Sequence, residues 1–360
     1  MNRILLCFFT CFSLAIYAQE APNLYRAVVA VPDKTSESRE AGINAAFAKV
    51  IIKLTGNSTV MQSPQLQPFL TDPRTLMDAV GFRDLPNQDD ATSIAIGLDV
   101  SFDQQIVDRL IRQAQLPILP SNRPKILVWI IADDISFGRR FINEPIAQQT
   151  IANDYSTQLL AAVDNAMQGR AVPYLLPIYD LEDQLSLPLN QAWSLNADLI
   201  AAATQRYKAD GWFAIRLYTA SNGEIRGAWV YQSSGKRQLN DFRSTDMDSA
   251  IESAVDDILD GLMEAYTYVP QLDTNQLLVQ IDGVSSLTSY RTLLDFFTDL
   301  QIVDSVQLYS VKAQQVILAV EIEGRADRLH LDLLRSGKFK SKISDDKHSI
   351  GRLVYHWVPE

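Results

Sequence analysis

Lys125-Ile126-Leu127-Val128-Trp129-Ile130-Ile131-Ala132 is the stretch on which the fold turns. Seven apolar residues follow one another with no polar alternation, the pattern of a strand buried on both faces. Eight residues are too few for a membrane-crossing helix. Such a strand needs helices on either side of its sheet, and the sequence around it supplies them. A helix is predicted over Asn153–Met167, then a strand over Val172–Tyr179 that Pro173 and Pro177 push toward a sheet edge. Trp193 falls in a loop, Ala197–Lys208 has helical spacing, and Gly211–Leu217 is a strand. Gly223 and Gly235 punctuate a meander through Ile225–Gln232 and Arg237–Arg243, and Asp248–Glu264 closes the unit as a helix. This order implies a mixed sheet covered by helices.

Two boundaries flank that unit. Pro117–Pro124 (PILPSNRP) carries three prolines, and Tyr266–Thr274 is polar with Pro270. The expected domains are therefore 19–120, 121–268 and 269–360. In the first, Leu24–Val31 is a valine-rich strand. Ser36–Leu54 is a helix with Ile43, Phe47, Val50, Ile51 and Leu54 on one face, capped by Ser36 or Ser38 and ended by Gly56. Short helices at Pro64–Leu70 and Pro73–Val80, strands at Phe82–Leu85 and Ser93–Phe102, and a helix after Asp103 complete a compact α/β layer, mostly antiparallel. In the last domain, strands at Gln276–Ile281, Val306–Val311, Val316–Ile322 and Leu353–Val358 alternate with helices at Leu287–Leu300 and Asp327–Arg335. This βαββαβ order is ferredoxin-like. The fold class is thus α/β and α+β in three small domains.

Ahead of all three stands Met1-Asn2-Arg3 with an apolar run from Ile4 to Ala18, and Ile16-Tyr17-Ala18 offers a cleavage site before Gln19. That is the form of a secretory signal peptide over residues 1–18. Both cysteines, Cys7 and Cys11, lie inside it, so the processed chain has no disulfide, thiolate metal site or cysteine nucleophile. Loss of Arg3 takes the net charge from −11 to −12. An acidic chain disfavours nucleic acid, whose binding draws on basic patches. No second long apolar segment follows, so the processed chain is expected to lack a transmembrane span.

Several stretches, in order, carry a family resemblance. They are Leu24-Tyr25-Arg26-Ala27, Arg39-Glu40-Ala41-Gly42, Lys53-Leu54-Thr55-Gly56-Asn57, Val100-Ser101-Phe102-Asp103, Leu116–Pro120, Asn122–Trp129 and Leu176–Asp183. Together they resemble the proteobacterial domain-of-unknown-function family 2066 (DUF2066). One departure is Leu119, where related chains often have tryptophan. The resemblance implies a secreted, periplasmic envelope protein, and it brings no activity or site residues with it. More loosely, the middle unit is similar in element order to α/β domains of periplasmic assembly proteins such as the N-terminal domain of TolB.

Chemistry-bearing residues are few. All three histidines, His330, His348 and His356, fall in the last 31 residues, which removes histidine-dependent triads and His-rich zinc motifs from the first two domains. No Walker-type loop, dinucleotide turn or nucleophile elbow occurs. Asp133 and Asp134 follow the buried strand, and Asp180 follows the strand over Val172–Tyr179. Ligands of open α/β sheets gather beyond such strand ends, so these three carboxylates are the candidates for acid/base work or a hard cation. Turn and cap roles are the competing account. Arg139-Arg140 beside Phe141 could grip an anionic partner, or be solvated loop charge. Trp193, Trp212 and Trp229 with Tyr218 and Tyr231 could stack on sugars or bind a peptide, although Trp129 and Trp212 lie in apolar strands that favour core roles. The leading expectation is a non-catalytic binding or assembly module of the envelope, with an envelope protein or cell-wall component as partner, and no cofactor or metal. A carboxylate-dependent hydrolase is the alternative.

Overall fold

A computed structural model describes residues 23–70, 72–86, 94–135, 138–143, 154–233, 235–271, 275–342 and 352–358. The signal peptide reading over residues 1–18, with Cys7 and Cys11, lies outside the described residues, as does His348.

The chain opens with β1 (Arg26–Val31), α1 (Ser36–Thr55), β2 (Met77–Pro86), β3 (Ile94–Phe102) and α2 (Gln104–Gln113). The three strands form an antiparallel sheet in the order β1-β3-β2, with Ile43, Phe47, Val50 and Ile51 of α1 buried against it. Thr35 rather than Ser36 or Ser38 caps α1, its Oγ1 accepting from the Ser38 amide at 3.3 Å. Gly56 ends the helix at φ 68°, a left-handed conformation that glycine adopts without a Cβ penalty. The helix expected over Pro73–Val80 is only a 3-10 turn at Pro73–Leu76. From Met77 the chain is already β2, where Val80 pairs with Val100.

The middle unit contains β4 (Ile126–Asp134), β5 (Gly138–Phe141), α3 (Asp154–Gly169), β6 (Tyr174–Leu175), α4 (Leu181–Ser186), α5 (Leu189–Trp193), α6 (Ala197–Thr204), β7 (Gly211–Thr219), β8 (Ile225–Ser233), β9 (Lys236–Ser244) and α7 (Met247–Met263). Its sheet runs β5-β4-β7-β8-β9. β7 is parallel to β4, while β8 and β9 return as an antiparallel meander. Every residue from Ile126 to Ala132 is 0% exposed. Ile126, Val128, Ile130 and Ala132 enter a core closed by α3 and α7, and Leu127, Trp129 and Ile131 a second core under α4–α6. The apolar run is therefore explained by helices on both faces. The strand expected over Val172–Tyr179 shrinks to the two residues of β6, because Pro173 and Pro177 cannot donate to a ladder. Trp193 is the last residue of α5 and not part of a loop.

The final unit comprises β10 (Asn275–Asp282), α8 (Leu287–Thr298), β11 (Val303–Lys312), β12 (Gln315–Ile322), α9 (Ala326–Arg335), β13 (Phe339–Ser341) and β14 (Arg352–Trp357). The sheet order β11-β12-β10-β14-β13 keeps the expected ferredoxin-like order in its first four strands, but β14 is parallel to β10 where that fold has an antiparallel pair. β13 is one strand more than expected. It pairs antiparallel with β14, which consequently runs parallel to β10.

The linkers are built into the packing. Ile118 bridges Tyr268, and Arg112 of α2 makes a two-pronged contact with Glu323, 2.9 Å to each oxygen. The buried residues of the first and last units form one contiguous cluster. Arg170, just after α3, reaches Asp256 and Asp260 of α7 at 2.6 Å each and the Gly56 carbonyl at 2.8 Å. Ser58 closes the same clasp through Asp260. Among the described residues no helix is long and apolar enough to cross a membrane.

Candidate functional site

Strand alternation decides where the expected carboxylates point. On β4, odd residues face α4–α6 and even residues face α3 and α7, so Asp133 and Asp134 leave the sheet on opposite sides. Asp133 is bound by Arg139 across the β4–β5 hairpin, with contacts of 2.9 and 3.2 Å. Asp134 lies at the end of the same ladder, opposite Gly138. Burial, with the charges of Asp134 and Asp133 behind it, raises the Tyr155 hydroxyl above its ordinary range.

Asp180 has a local task. It caps α4 by accepting from the Asp183 amide, and Arg206 holds it at 2.6 and 2.8 Å. Arg206 above all, then the backbone amides, keep its carboxyl well below the usual range. The same arginine reaches the fully buried Asp183 at 2.9 Å. Asp183 also accepts from Tyr207, whose hydroxyl is pushed up to about 12 by burial and then by this carboxylate. The three candidate aspartates are thus not brought together. Among the described residues no group of three or more His, Cys, Asp or Glu is placed to hold a metal ion.

A different constellation is brought together. Cross-strand register sets Arg139, Asp133, Tyr218, Arg226 and Arg243 side by side in one row over β5, β4, β7, β8 and β9. Directly paired residues share a sheet face, and here it is the face carrying α4–α6. The next row brings Arg216 and Asp241. Trp193, at the end of α5, leans over both rows. The Arg139 guanidinium carbon lies 3.9 Å and that of Arg216 5.5 Å from its ring centroid, within cation–π range. Arg216 also donates to the Trp193 carbonyl at 2.8 Å, which fixes the ring's position. Tyr218 stands 6.5 Å from the same ring. Trp193, Arg216, Tyr218, Arg226, Asp241 and Arg243 line an open cleft of about 440 Å³, the size of a small-ligand site, with Arg139 against the tryptophan ring.

The cleft's electrostatics are uneven. Glu224 takes Arg226 at 2.7 Å. That contact holds the Glu224 carboxyl below its ordinary range and, with the Tyr218 hydroxyl, raises Arg226. Arg243 is exposed and, among the described residues, makes no ion pair. Yet it sits directly opposite Arg226, a like-charge pairing that costs stability in a sheet. Such an arrangement suits recognition of a negatively charged group by planar, two-pronged donors.

The tryptophans divide accordingly. Trp212 and Trp229 are buried, as is Tyr231, and only Trp193 and Tyr218 reach the cleft. Arg139 and Arg140 likewise point to opposite faces, the second donating to Ser156 of α3 at 2.6 Å. His330 contacts the Tyr355 hydroxyl at 2.7 Å, and His356 is exposed on β14.

Comparison with known proteins adds one family. Residues 18–120 match a Domain of unknown function (DUF8605). No curated protein matches the chain. Among solved structures, it is similar to the LpoB C-terminal domain from Salmonella enterica at 8% identity, over 34% of this chain and 83% of that one, with a TM-score of 0.22. A competence or damage-inducible protein from Enterobacter asburiae matches at 13% identity over 40% and 87%, TM-score 0.22. A competence-damaged protein (CinA) superfamily protein from Escherichia coli matches at 15% identity over 45% and 86%, TM-score 0.23. Likenesses at these scores carry no functional argument.

Proposed function

We propose that this chain is a non-catalytic binding or assembly module of the bacterial envelope, which receives anionic groups of its partner in the arginine–tryptophan cleft of the middle unit. The observation that carries this reading is the Trp193 ring packed against the guanidiniums of Arg139 and Arg216. Support comes also from the first two domains, which have no histidine, and from the exported character of residues 1–18. Membership of family 2066 and a periplasmic location belong to the same proposal. N-terminal sequencing of the exported chain checks the location, with Gln19 expected as the first residue. The hydrolase alternative takes second place, because Asp133 and Asp134 leave β4 on opposite faces and Asp180 is engaged by Arg206.

A photo-cross-linking side chain in place of Tyr218 tests the cleft directly in envelope extract. Adducts are expected with the otherwise unchanged chain and are expected to vanish when Trp193→Ala and Arg216→Glu are added. Adducts that survive both substitutions would place recognition elsewhere.

A further inference from the structure

We infer that the occupant of this site is an acidic, extended peptide segment that adds to the middle sheet as a strand alongside β9, with its carboxylates over Arg243 and Arg237. The inference rests on the cleft reading above and specifies its ligand.

The first ground is the edge itself. β9 is the outer strand of the sheet and pairs with β8 along its whole length, from Ser244 opposite Ile225 to Lys236 opposite Ser233. None of its nine residues is buried. Alternate backbone N–H and C=O groups of such a strand face outward, a template for a further strand.

The second ground is charge. β9 carries Lys236, Arg237 and Arg243 against the single acid Asp241, within a chain of net charge −11. Two copies of β9 paired together would oppose basic residues, which disfavours self-association through this edge. An acidic strand has the opposite sign. Adjacent strands lie about 4.8 Å apart, so a carboxylate opposite Arg243 on the cleft face comes within reach of its guanidinium and continues the row through Arg226 and Tyr218.

The third ground is pattern. Alternation puts Arg237, Leu239, Asp241 and Arg243 on that same face, and Leu239 is 48% exposed. The matching ligand has carboxylates at either end of a short strand and an apolar side chain between them.

The test uses the full exported chain and a capped nine-residue fluorescent peptide of threonines, with glutamates placed to face Arg243 and Arg237 and a valine to face Leu239. Fluorescence anisotropy is expected to show binding that falls at least tenfold for Arg243→Glu. A comparable fall is expected when alternate peptide amides are N-methylated, which removes the donors that strand addition needs. Equal binding of the methylated peptide overturns strand addition while leaving the cleft reading intact, provided Arg216→Glu or Arg243→Glu still weakens it. Displacement by equimolar inorganic phosphate overturns the peptide assignment in favour of a simple anion site. Binding indifferent to Arg216→Glu, Arg226→Glu and Arg243→Glu overturns both readings. Arg243 is exposed, and unchanged circular dichroism and melting temperature certify that its variant is folded.

Discussion

Gly261 on α7 lies against the Tyr231 hydroxyl of β8 so closely that a Cβ at 261 would collide with it. Glycine inside a helix ordinarily costs about 1 kcal/mol relative to alanine, so this position accepts a weaker helix to let α7 approach the sheet. Gly261→Ala is therefore expected to destabilise, by about 1–3 kcal/mol from overpacking. Urea unfolding measures the loss, and adding Tyr231→Phe, which removes the colliding oxygen, should recover part of it. A stabilised Gly261→Ala chain would refute the close approach.

Arg170 is 4% exposed and holds two carboxylates and a carbonyl. Removing it leaves Asp256 and Asp260 facing each other without a cation, while Asp260 still carries Ser58. Arg170→Met is expected to cost about 3 kcal/mol, as expected when a buried pair loses one member. Because the clasp joins the middle unit to the loop after α1, the urea transition should also broaden or split in two.

The Asp180–Arg206 pair sets an acid limit. The folded carboxyl titrates below its free value of 3.8, so between the two values the unfolded chain binds more protons and stability rises with pH. The contribution is complete above about pH 5 and is lost as pH falls through the folded value. Melting temperatures of the natural chain and Asp180→Asn should thus differ most above about pH 5, with the gap shrinking steadily as pH falls from there toward about 2. A gap independent of pH would show that the cap, and not the charge, is what matters.

Trp129 is fully buried and donates to Thr204 at 3.1 Å. Trp129→Phe should cost about 1–3 kcal/mol through the lost indole hydrogen bond and the smaller ring, and Trp129→Ala about 3–5 kcal/mol through the cavity. Denaturant midpoints rank them. Thr204→Val removes both the indole bond and the donation to the Ile200 carbonyl at 2.8 Å but leaves no cavity, so it should cost less than Trp129→Ala.

Long, periodic segments were legible in the sequence. β4 announced itself by seven apolar residues, α1 by its one-sided stripe and Gly56, and the final unit by the alternation of strand and helix. Short elements were not. Gly138–Phe141 is polar, and its pairing depends on β4 lying beside it; α5 has five residues and stands only because Ala192 packs into the core under α4–α6. The candidate site was hidden for a related reason. Arg139, Arg216, Arg226 and Arg243 are scattered over about a hundred residues and meet only through register. One signal was present. Pairing the meander about Gly223 and Gly235 puts Tyr218, Arg226 and Arg243 on a common face, and consecutive Asp133 and Asp134 on one strand could never have shared one.

The chain enters and leaves the middle unit at the same place. Ile118 and Tyr268 exchange both of their backbone hydrogen bonds, at 2.7 and 3.1 Å, and the sheets before and after share a buried cluster. The middle unit is therefore a guest in a host whose two halves fold as one. A gene could acquire, exchange or shed residues 119–267 while leaving all of the host's buried cluster but Ala171 in place. Joining Ile118 to Tyr268 by a short Gly-Ser link should yield a smaller folded protein that retains the Arg112–Glu323 contact, and the same junction offers a port where unrelated domains could be installed.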